Sequence, residues 1–194
     1  MFVSKSTGKI TLVTGPMFSG KTLEILRLVD QLEYSNKEYV IFKPSIDSSE
    51  DEFIIKSRWN HSKKANKFSG EDDIERYLLN NPNTYAVIID EIQFMDKSII
   101  KYLDRLCFRG INIIIGGLDR DYSGKPFDTT SFAASIADEV RKLHSICHVC
   151  GDAAFLSQKF YQNRAVTKDS KQIELKNDVL YKPVCRKHFK YDEN

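Results

Sequence analysis

The chain begins with short apolar runs that alternate with longer stretches in which apolar residues recur at helical spacing. The apolar runs contain no regular polar positions, as expected of strands that are buried on both faces of a sheet. They span residues 10–14, 39–42, 85–90 and 111–115. Strands that alternate with helices in this way predict an α/β fold, with a parallel sheet flanked by helices and right-handed crossovers.

Capping signals mark where the predicted helices begin and end. After Gly20, apolar residues recur through residue 32 and form a wide stripe. Ser69 and Asp72 resemble a capping box at the start of a second helix. Asp96 can cap a third helix, and Gly110 can end it.

The pattern changes at about Ser145, after which the apolar runs become shorter. Three segments there have the composition of short antiparallel strands, namely 155–161, 171–175 and 179–184. We therefore predict an α/β domain at residues 1–144 and a second domain at residues 145–194. A domain of this size has little core of its own and usually needs a covalent or metal staple.

Two long loops interrupt the α/β domain, at residues 43–68 and 118–130. Each follows a predicted strand of the parallel sheet. Ligands of such sheets bind at the carboxyl ends of the strands. Loops of this length in a compact domain are more often functional than idle, so both are candidates for binding a substrate.

A complete phosphate-binding motif follows the first predicted strand and opens the first predicted helix. Its sequence, GPMFSGKT, matches G-x-x-x-x-G-K-[ST] in the context that the motif requires. Backbone N–H groups and the helix N-terminus of such a loop bind phosphate oxygens. Lys21 would neutralise the β- and γ-phosphates of ATP, and the Thr22 hydroxyl would bind Mg²⁺. The residues predicted to bind phosphate are Gly15, Pro16, Met17, Phe18, Ser19, Gly20, Lys21 and Thr22.

The third predicted strand ends in two acidic residues, Asp90 and Glu91. Asp90 would hold Mg²⁺ directly or through water, and Glu91 can point at the attacking group. Together with the phosphate loop, this pair indicates nucleotide hydrolysis or phosphoryl transfer. A glutamate at this place could orient water in an ATPase or accept a proton from a substrate hydroxyl in a kinase.

The second domain carries two pairs of metal-binding residues with ligands three positions apart. They are Cys147 with Cys150, and Cys185 with His188. Three cysteines and one histidine form an ordinary tetrahedral zinc set. A single C-x-x-C could instead be a redox pair, but the second pair and the weak local core favour structural zinc. His148 could compete as a ligand, although the C-x-x-C spacing favours the two cysteines.

Composition and charge narrow the function by exclusion. The 194 residues are 41% hydrophobic and 29% charged, which is typical of a globular protein. The net charge of +2 comes from 29 basic and 27 acidic residues without the basic stripe of a nucleic-acid-binding protein. No stretch approaches the ~20 apolar residues of a membrane helix, and the first residues lack a signal-peptide pattern. We expect a cytoplasmic protein with no nucleic-acid or membrane partner.

The chain resembles the zinc-containing P-loop thymidine kinases of the cytosolic and bacterial type. The resemblance extends from Gly8 to about His188 and begins with the phosphate loop and the zinc-binding pairs. It continues with Lys43-Pro44 and Asp47, Asp90-Glu91-Ile92-Gln93-Phe94, Gly117-Leu118-Asp119, Lys125-Pro126-Phe127 and Tyr181. This family implies a RecA-like parallel sheet joined to a small zinc-stapled lasso domain, here residues 145–194.

The resemblance implies a homotetramer that transfers the γ-phosphate of Mg-ATP to the 5′-hydroxyl of thymidine, with feedback inhibition by dTTP. Glu91 would be the general base, residues 117–130 would form a lid loop, and Tyr181 would close over the nucleoside. The residues implied to bind the nucleoside are Met17, Arg58, Phe94, Leu118, Tyr122, Phe127, Ser157, Leu175 and Tyr181. Two departures from the family are Tyr122, where phenylalanine is common, and residues 175–177, which lack the usual Gly-Gly.

Two other functions fit parts of the pattern. A P-loop ATPase could use the zinc domain to bind nucleic acid or protein. The balanced charge, the short chain and the aromatic residues on several loops argue against it. A kinase for another nucleoside is the second alternative, because the lining of a pocket discriminates only modestly between similar ligands.

Overall fold

The computed structural model describes residues 7–45, 54–58, 60–162, 164–166 and 179–191. The strands are β1 (Ile10–Gly15), β2 (Tyr39–Pro44), β3 (Ile54–Lys56), β4 (Ser62–Lys64), β5 (Asn66–Phe68), β6 (Ala86–Ile89), β7 (Asn112–Leu118), β8 (Glu139–Lys142), β9 (Ser145–Ile146), β10 (Ala153–Ala154), β11 (Leu156–Tyr161), β12 (Arg164–Val166) and β13 (Val179–Val184). The helices are α1 (Lys21–Tyr34), α2 (Glu71–Asn80), α3 (Ser98–Phe108) and α4 (Asp128–Ile136), with a 3₁₀ turn at Ile92–Phe94. Among these helices, none is long and apolar enough to span a membrane.

The central element is a six-stranded sheet in the order β5-β2-β6-β7-β1-β8. Every neighbouring pair in it is parallel. The predicted strands form its four central members, β2, β6, β7 and β1. The prediction of an α/β fold with a helix-flanked parallel sheet is therefore confirmed.

Both faces of this sheet are buried, because adjacent residues of one strand point to opposite faces. On one face, Leu12 and Ile89 belong to a core that also includes the apolar sides of α2, α3 and α4. On the other face, Val13 and Ile88 pack with α1. Each central strand therefore needs apolar residues at successive positions, which is why the apolar runs in the sequence are continuous.

The two outer strands of the sheet, β5 and β8, were not predicted. Both are short and mostly polar, and β8 alternates between half-buried and exposed residues. They join the sheet through backbone pairing with β2 and β1, which needs no apolar pattern. The loop predicted at residues 43–68 also contains the β3–β4 hairpin, whose Ile55 packs into the core beside α1.

The predicted capping box at Ser69 and Asp72 is wrong. Helix α2 begins at Glu71, with Gly70 as its N-cap residue and no side-chain cap bond from that residue. The backbone N–H of Ser69 instead donates to Asp73 Oδ2 at 2.8 Å. Because Gly70 is an extended residue between Ser69 and the helix, the acid that reaches back to Ser69 comes one position later than expected.

The predicted end of the third helix is confirmed, whereas its N-cap residue is Lys97 and not the predicted Asp96. Asp96 Oδ1 accepts a hydrogen bond from the backbone N–H of Ser98, the first residue of α3, at 2.8 Å. Gly110 has a φ of 95°, and its N–H donates to the carbonyl of Cys107 at 2.9 Å. A left-handed glycine just past the last turn is a common way to end a helix.

The lasso domain is built from short antiparallel strands. β11 pairs with both β12 and β13, and β9 pairs with β10. Two of the three predicted strands are present, and the third, at residues 171–175, lies outside the described residues. Among the residues of this domain that the structure describes, the buried core consists of Cys147, Ala154, Leu156, Val184, Cys185 and Phe189. The domain division after residue 144 stays a prediction; the large sheet ends at Lys142, and β9 begins at Ser145.

Candidate active site

The predicted nucleotide-binding residues lie at one edge of the central sheet. Strands β1, β6 and β7 are parallel, so their carboxyl ends meet at the same edge. The phosphate loop follows β1, Asp90 follows β6, and Leu118 ends β7. Gly15 and Leu118 are partners in the pairing of β1 with β7. The loop predicted to close over the substrate therefore starts beside the first glycine of the phosphate loop.

The phosphate loop has the sharply bent backbone that wraps an anion. Gly15, Phe18 and Gly20 all have positive φ values, of 141°, 64° and 85°. A side chain at Gly15 would collide with the backbone, because its Cβ would lie 2.4 Å from the carbonyl oxygen of Leu143. Phe18 holds a left-handed conformation that costs a non-glycine residue about 1–2 kcal/mol. Backbone strain of this kind is concentrated at ligand-binding sites.

Lys21 is the first residue of α1, and its side chain is buried inside the loop. Its Nζ donates a hydrogen bond to the carbonyl of Pro16 at 2.7 Å. Burial lowers the pKa of the ammonium group, and the charges of Glu91, Asp90 and Asp119 oppose this effect. Lys21 thus places its amine inside the loop, where the charges of three acidic side chains act on it.

Asp90 and Thr22 approach each other at the edge of the sheet. The Thr22 hydroxyl donates to Asp90 Oδ2 at 3.3 Å, and Asp90 is only 3% exposed. Burial, and after it the neighbouring charge of Glu91, raises the pKa of Asp90 to about 7. A divalent cation at this place would favour the ionised carboxylate. Thr22 and Asp90 are thus brought together as candidate ligands for magnesium.

Glu91 occupies a sharp corner between β6 and the 3₁₀ turn. Its φ of 59° is left-handed, and its backbone N–H donates to Asp90 Oδ1 at 3.0 Å. Its carboxylate accepts a hydrogen bond from Gln93 Nε2 at 2.5 Å. Gln93 in turn accepts one from the backbone N–H of Leu118 at 3.0 Å. Sequence reasoning assigned Gln93 no role, because a neutral amide next to two acids gives no chemical signal of its own.

The loop after β7 is folded back on itself and holds two of the predicted aromatic residues. An isolated bridge pairs Arg120 with Pro126, and the N–H of Phe127 donates to the carbonyl of Asp119 at 3.1 Å. Tyr122 and Phe127 are both buried. Phe94, at the end of the 3₁₀ turn, is half-buried.

A buried lysine connects this loop to the lasso domain. Lys159 is 1% exposed, and its Nζ lies 5.1 Å from the centroid of the Tyr122 ring. Across the β11–β13 pairing, Lys159 is directly opposite Tyr181. The lysine therefore brings two predicted nucleoside-binding residues into one neighbourhood. The only sequence signal for it was a charged residue in the middle of a predicted strand.

The lasso domain also holds the phosphate loop at two points. The N–H of Met17 donates to Ser157 Oγ at 2.9 Å, and Ser145 Oγ donates to the carbonyl of Phe18 at 3.1 Å. Ser157 thus lies against the phosphate loop, and so does Arg58, whose guanidinium carbon is 3.9 Å from the centroid of the Phe18 ring. Sequence reasoning missed Ser145. Leu175 and Asp47 lie outside the described residues.

A cleft of about 450 Å³ opens beside the phosphate loop, between α1, the β3–β4 hairpin and the end of β8. It is lined by Ser19, Gly20, Leu23, Glu24, Arg27, Asp30, His61 and Leu143. Arg27 is fixed by two hydrogen bonds of 2.8 Å to the carboxylate of Glu24. The cleft extends from the phosphate loop along the first turns of α1.

The four predicted zinc ligands converge in the lasso domain. Their ligand atoms all lie within 4.8 Å of one another. Cys150 Sγ is 3.7 Å from Cys185 Sγ, and His188 Nδ1 is 3.3 Å from Cys185 Sγ and 3.7 Å from Cys147 Sγ. Bonds of about 2.3 Å to sulfur and about 2.0 Å to nitrogen give tetrahedral edges of about 3.5–3.8 Å. The cluster could therefore hold a tetrahedral metal ion.

The surroundings of the cluster favour this ligand set over the alternative with His148. That histidine places Nδ1 3.1 Å from the carbonyl oxygen of Pro183, and its ring packs edge-on against Phe160. At Cys147, burial raises the pKa of the thiol. Hydrogen bonds from the backbone N–H groups of Cys185, Val149 and Cys150 outweigh burial and lower that pKa to about 6. A thiolate is the form that binds a metal.

The fold and the site together define a class of protein. A complete phosphate loop at the end of a central parallel strand, with a buried acid at the end of another, is the arrangement of a P-loop nucleotide-binding protein. Comparison with known proteins gives the family within this class. The family model for thymidine kinase matches residues 8–189.

Individual relatives agree with the family match over most of the chain. A thymidine kinase of Ureaplasma urealyticum is 36% identical over 190 residues, covering 96% of this chain and 85% of that protein. A thymidine kinase of Bacteroides thetaiotaomicron is 36% identical over 183 residues, covering 94% and 87%. A thymidine kinase of Pseudothermotoga lettingae is 34% identical over 180 residues, covering 92% and 93%. The chain belongs to the thymidine kinase family, as the sequence motifs predicted.

Proposed function

We propose that this protein transfers the γ-phosphate of ATP to the 5′-hydroxyl of thymidine. The observation that carries this function is the place of Glu91. Its charge acts on the buried amine of Lys21 and raises the pKa of that group against the effect of burial, and its carboxylate is linked through Gln93 to Leu118, at the start of the aromatic loop. A base that lies between a phosphate site and apolar side chains is better placed to activate the hydroxyl of a bound substrate than to activate a water molecule.

The phosphate loop and its neighbours would bind Mg-ATP. Backbone N–H groups between Gly15 and Lys21 would bind phosphate oxygens, and Lys21 would neutralise charge that develops on the transferred group. Thr22 and Asp90, whose Oγ1 and Oδ2 atoms are 3.3 Å apart, would hold magnesium. The bound ion would neutralise negative charge on the phosphates of ATP. The cleft along the first turns of α1 would take the part of ATP beyond its phosphates.

The aromatic residues near Glu91 would bind the thymine ring. Phe94, Tyr122, Phe127 and Tyr181 come from three separate segments, so they could surround a flat ring from more than one side. Tyr122 and Phe127 are 6% and 4% exposed, so their rings lie away from bulk water. Met17 and Leu118 would form the apolar contact for the methyl group. Glu91 would then accept the proton of the 5′-hydroxyl as that oxygen forms its bond to the γ-phosphorus. The bond between the γ-phosphorus and the β–γ bridging oxygen breaks, and ADP leaves with the electron pair of that bond.

Product analysis tests this function directly. With Mg-ATP and thymidine, we expect ATP consumption to match the formation of thymidine monophosphate. Without nucleoside, we expect little free phosphate, because the reacting position lacks its hydroxyl. ATP hydrolysis that is equally fast without a nucleoside would establish the ATPase alternative. Faster turnover of deoxycytidine or deoxyadenosine would instead establish a kinase for another nucleoside.

We further propose that the metal of the lasso domain is a structural zinc ion held by Cys147, Cys150, Cys185 and His188. Two of these ligands, Cys147 and Cys185, also belong to the small core of the domain. The ion would join the β9–β10 region to the end of β13. Because Ser145 and Ser157 hold the phosphate loop, loss of the ion should also disturb nucleotide binding.

Metal analysis is expected to find about one zinc ion per chain, as for a single four-ligand site. Cys150→Ser should lose the metal and unfold at a lower temperature than the wild type. The matched control is Cys107→Ser, because Cys107 lies on α3 in the core of the large domain. That variant should keep its zinc. A metal-free wild type with unchanged stability would contradict the proposal.

Three properties rest on the family resemblance and stay predictions. One is a homotetramer, and another is a cytoplasmic location. The third is feedback inhibition by dTTP, which carries both a thymine ring and a triphosphate. Such a ligand could use the aromatic pocket and the phosphate loop of the same site.

A further inference from the structure

We infer that Gln93 is a positioning residue for phosphoryl transfer, because its side-chain amide fixes the carboxylate of Glu91 and anchors it to the backbone at Leu118. Gln93 acts through Glu91 and need not touch the substrate. The inference rests on the proposed function, in which Glu91 accepts the proton of the nucleoside hydroxyl.

The polarity of the two contacts suits an amide and no other side chain of this length. Gln93 Nε2 donates to Glu91 Oε2 at 2.5 Å, and Gln93 Oε1 accepts from the N–H of Leu118 at 3.0 Å. A glutamate would offer acceptors at both ends, and a methionine would offer only a weak acceptor in its sulfur. Gln93 is 7% exposed, so a lost hydrogen bond here is poorly replaced by water.

Glu91 needs such support because of where it lies. It has a left-handed backbone, follows a buried strand and is half-buried itself. The turn after it is held by short-range bonds, from Phe94 N–H to the carbonyl of Glu91 and from Met95 N–H to that of Ile92. Those bonds fix the backbone but leave the rotatable bonds of the Glu91 side chain free. The amide of Gln93 removes that freedom before substrate binds.

The packing around the amide keeps it in place. A Cβ atom on Gly117 would lie 2.7 Å from Ile92 Cγ2 and 3.1 Å from Gln93 Oε1. The backbone of β7 can approach the 3₁₀ turn this closely only because residue 117 has no side chain. Leu118 is also a member of the proposed nucleoside pocket. The amide therefore links one wall of the pocket to the group that deprotonates the nucleoside.

Gln93→Glu is the decisive variant. It keeps the length of the side chain and the acceptor for Leu118, but it places a carboxylate against the carboxylate of Glu91. The repulsion between the two carboxylates should push the Glu91 side chain away from the position that Gln93 gives it. We therefore expect kcat to fall about 10–100-fold or more, while KM for ATP stays close to that of the wild type.

Gln93→Met tests the support without adding charge. It removes both hydrogen bonds, so the Glu91 carboxylate is no longer held in position. We expect kcat to fall about 10–100-fold, because a displacement of about 1 Å of a reacting group can cost about 10²-fold in rate. KM for ATP should stay close to wild type, because the phosphate loop is untouched.

Thr84→Val is the matched control. The Thr84 hydroxyl donates a hydrogen bond of 2.8 Å to the carbonyl of Asn81, and Thr84 is 8% exposed. This residue precedes β6, whereas Glu91 follows the other end of that strand. Loss of its hydrogen bond should lower stability to a similar extent while kcat and KM for ATP remain those of the wild type.

The inference is overturned if Gln93→Glu and Gln93→Met lose no more kcat than Thr84→Val, or if they raise KM for ATP as much as they lower kcat. Should Gln93→Glu fail to fold, the comparison of Gln93→Met with Thr84→Val decides alone. Failure of the proposed function would look different, because Glu91→Gln would then retain its activity whatever the Gln93 variants do.

Discussion

Replacing Glu91 by glutamine is expected to lower kcat about 10²–10⁴-fold, the usual loss when a general base is removed. Glutamine keeps the shape of the side chain and can still accept the hydrogen bond from Gln93, so the local geometry should survive. What it lacks is the ability to take the proton of the 5′-hydroxyl. Thymidine and ATP should bind nearly as well as to the wild type, because the aromatic pocket and phosphate loop are unchanged.

The measurement is kcat at saturating thymidine and Mg-ATP, together with the thermal shift caused by each ligand. Glu75→Gln is a suitable control. Glu75 lies on α2 and accepts a hydrogen bond from Tyr102 of α3 at 2.6 Å and one from Arg109 at 3.0 Å, so its partners are outside the candidate active site. Its substitution should leave kcat unchanged. A Glu91→Gln enzyme with wild-type kcat would show that another group accepts the proton.

The nucleotide-binding half of the site could be predicted from sequence because its information is local. The phosphate loop encodes its own geometry, since glycines at fixed spacing allow the bends seen at Gly15 and Gly20. The strands around it are buried on both faces, so their continuous apolar runs are conspicuous. The metal ligands could be predicted for the same reason, because a spacing of three positions places Cys147 close to Cys150 independently of the rest of the fold.

The outer strands and some helix ends could not be predicted for the opposite reason. β5 and β8 are held by backbone pairing with a neighbour and carry charged residues, which a strand pattern does not favour. The start of α2 depends on the extended backbone at Gly70, which the spacing of Ser69 and Asp72 does not reveal. In each case the deciding interaction uses the main chain, where side-chain patterns give little guidance.

The supporting residues of the site were missed because their partners are distant in sequence. Ser145 binds the carbonyl of Phe18 across 127 positions, and Ser157 binds Met17 across 140. A hydroxyl or amide has no charge pattern that would single it out. Lys159 was equally hidden, since lysine in a short strand is ordinarily a solvent-exposed residue.

Lys21→Met is expected to lower turnover by about 10²–10³-fold or more, because it removes the cation that would stabilise charge on the transferred phosphoryl group. Methionine matches the length of the lysine stem, and burial already disfavours the ammonium by lowering its pKa, so the fold should persist. Without the positive charge of Lys21, the pKa values of the nearby acids should change. The already raised pKa of Asp90 should rise further, which would weaken magnesium binding near neutral pH.

This variant separates the two halves of the site by thermal shift. Mg-ATP should stabilise the wild type but not Lys21→Met, whereas thymidine should stabilise both, because the aromatic pocket does not include the lysine. The control is Lys9→Met at the opposite side of the sheet, where Lys9 precedes β1 and pairs with Glu139 on the surface. An exposed ion pair contributes little, about 0–1 kcal/mol, so that protein should respond to both ligands and turn over normally. If Lys21→Met kept wild-type turnover and the thermal shift caused by Mg-ATP, the loop would not be the phosphate-binding site. The proposed transfer of the γ-phosphate from ATP bound at this loop would then have to be abandoned.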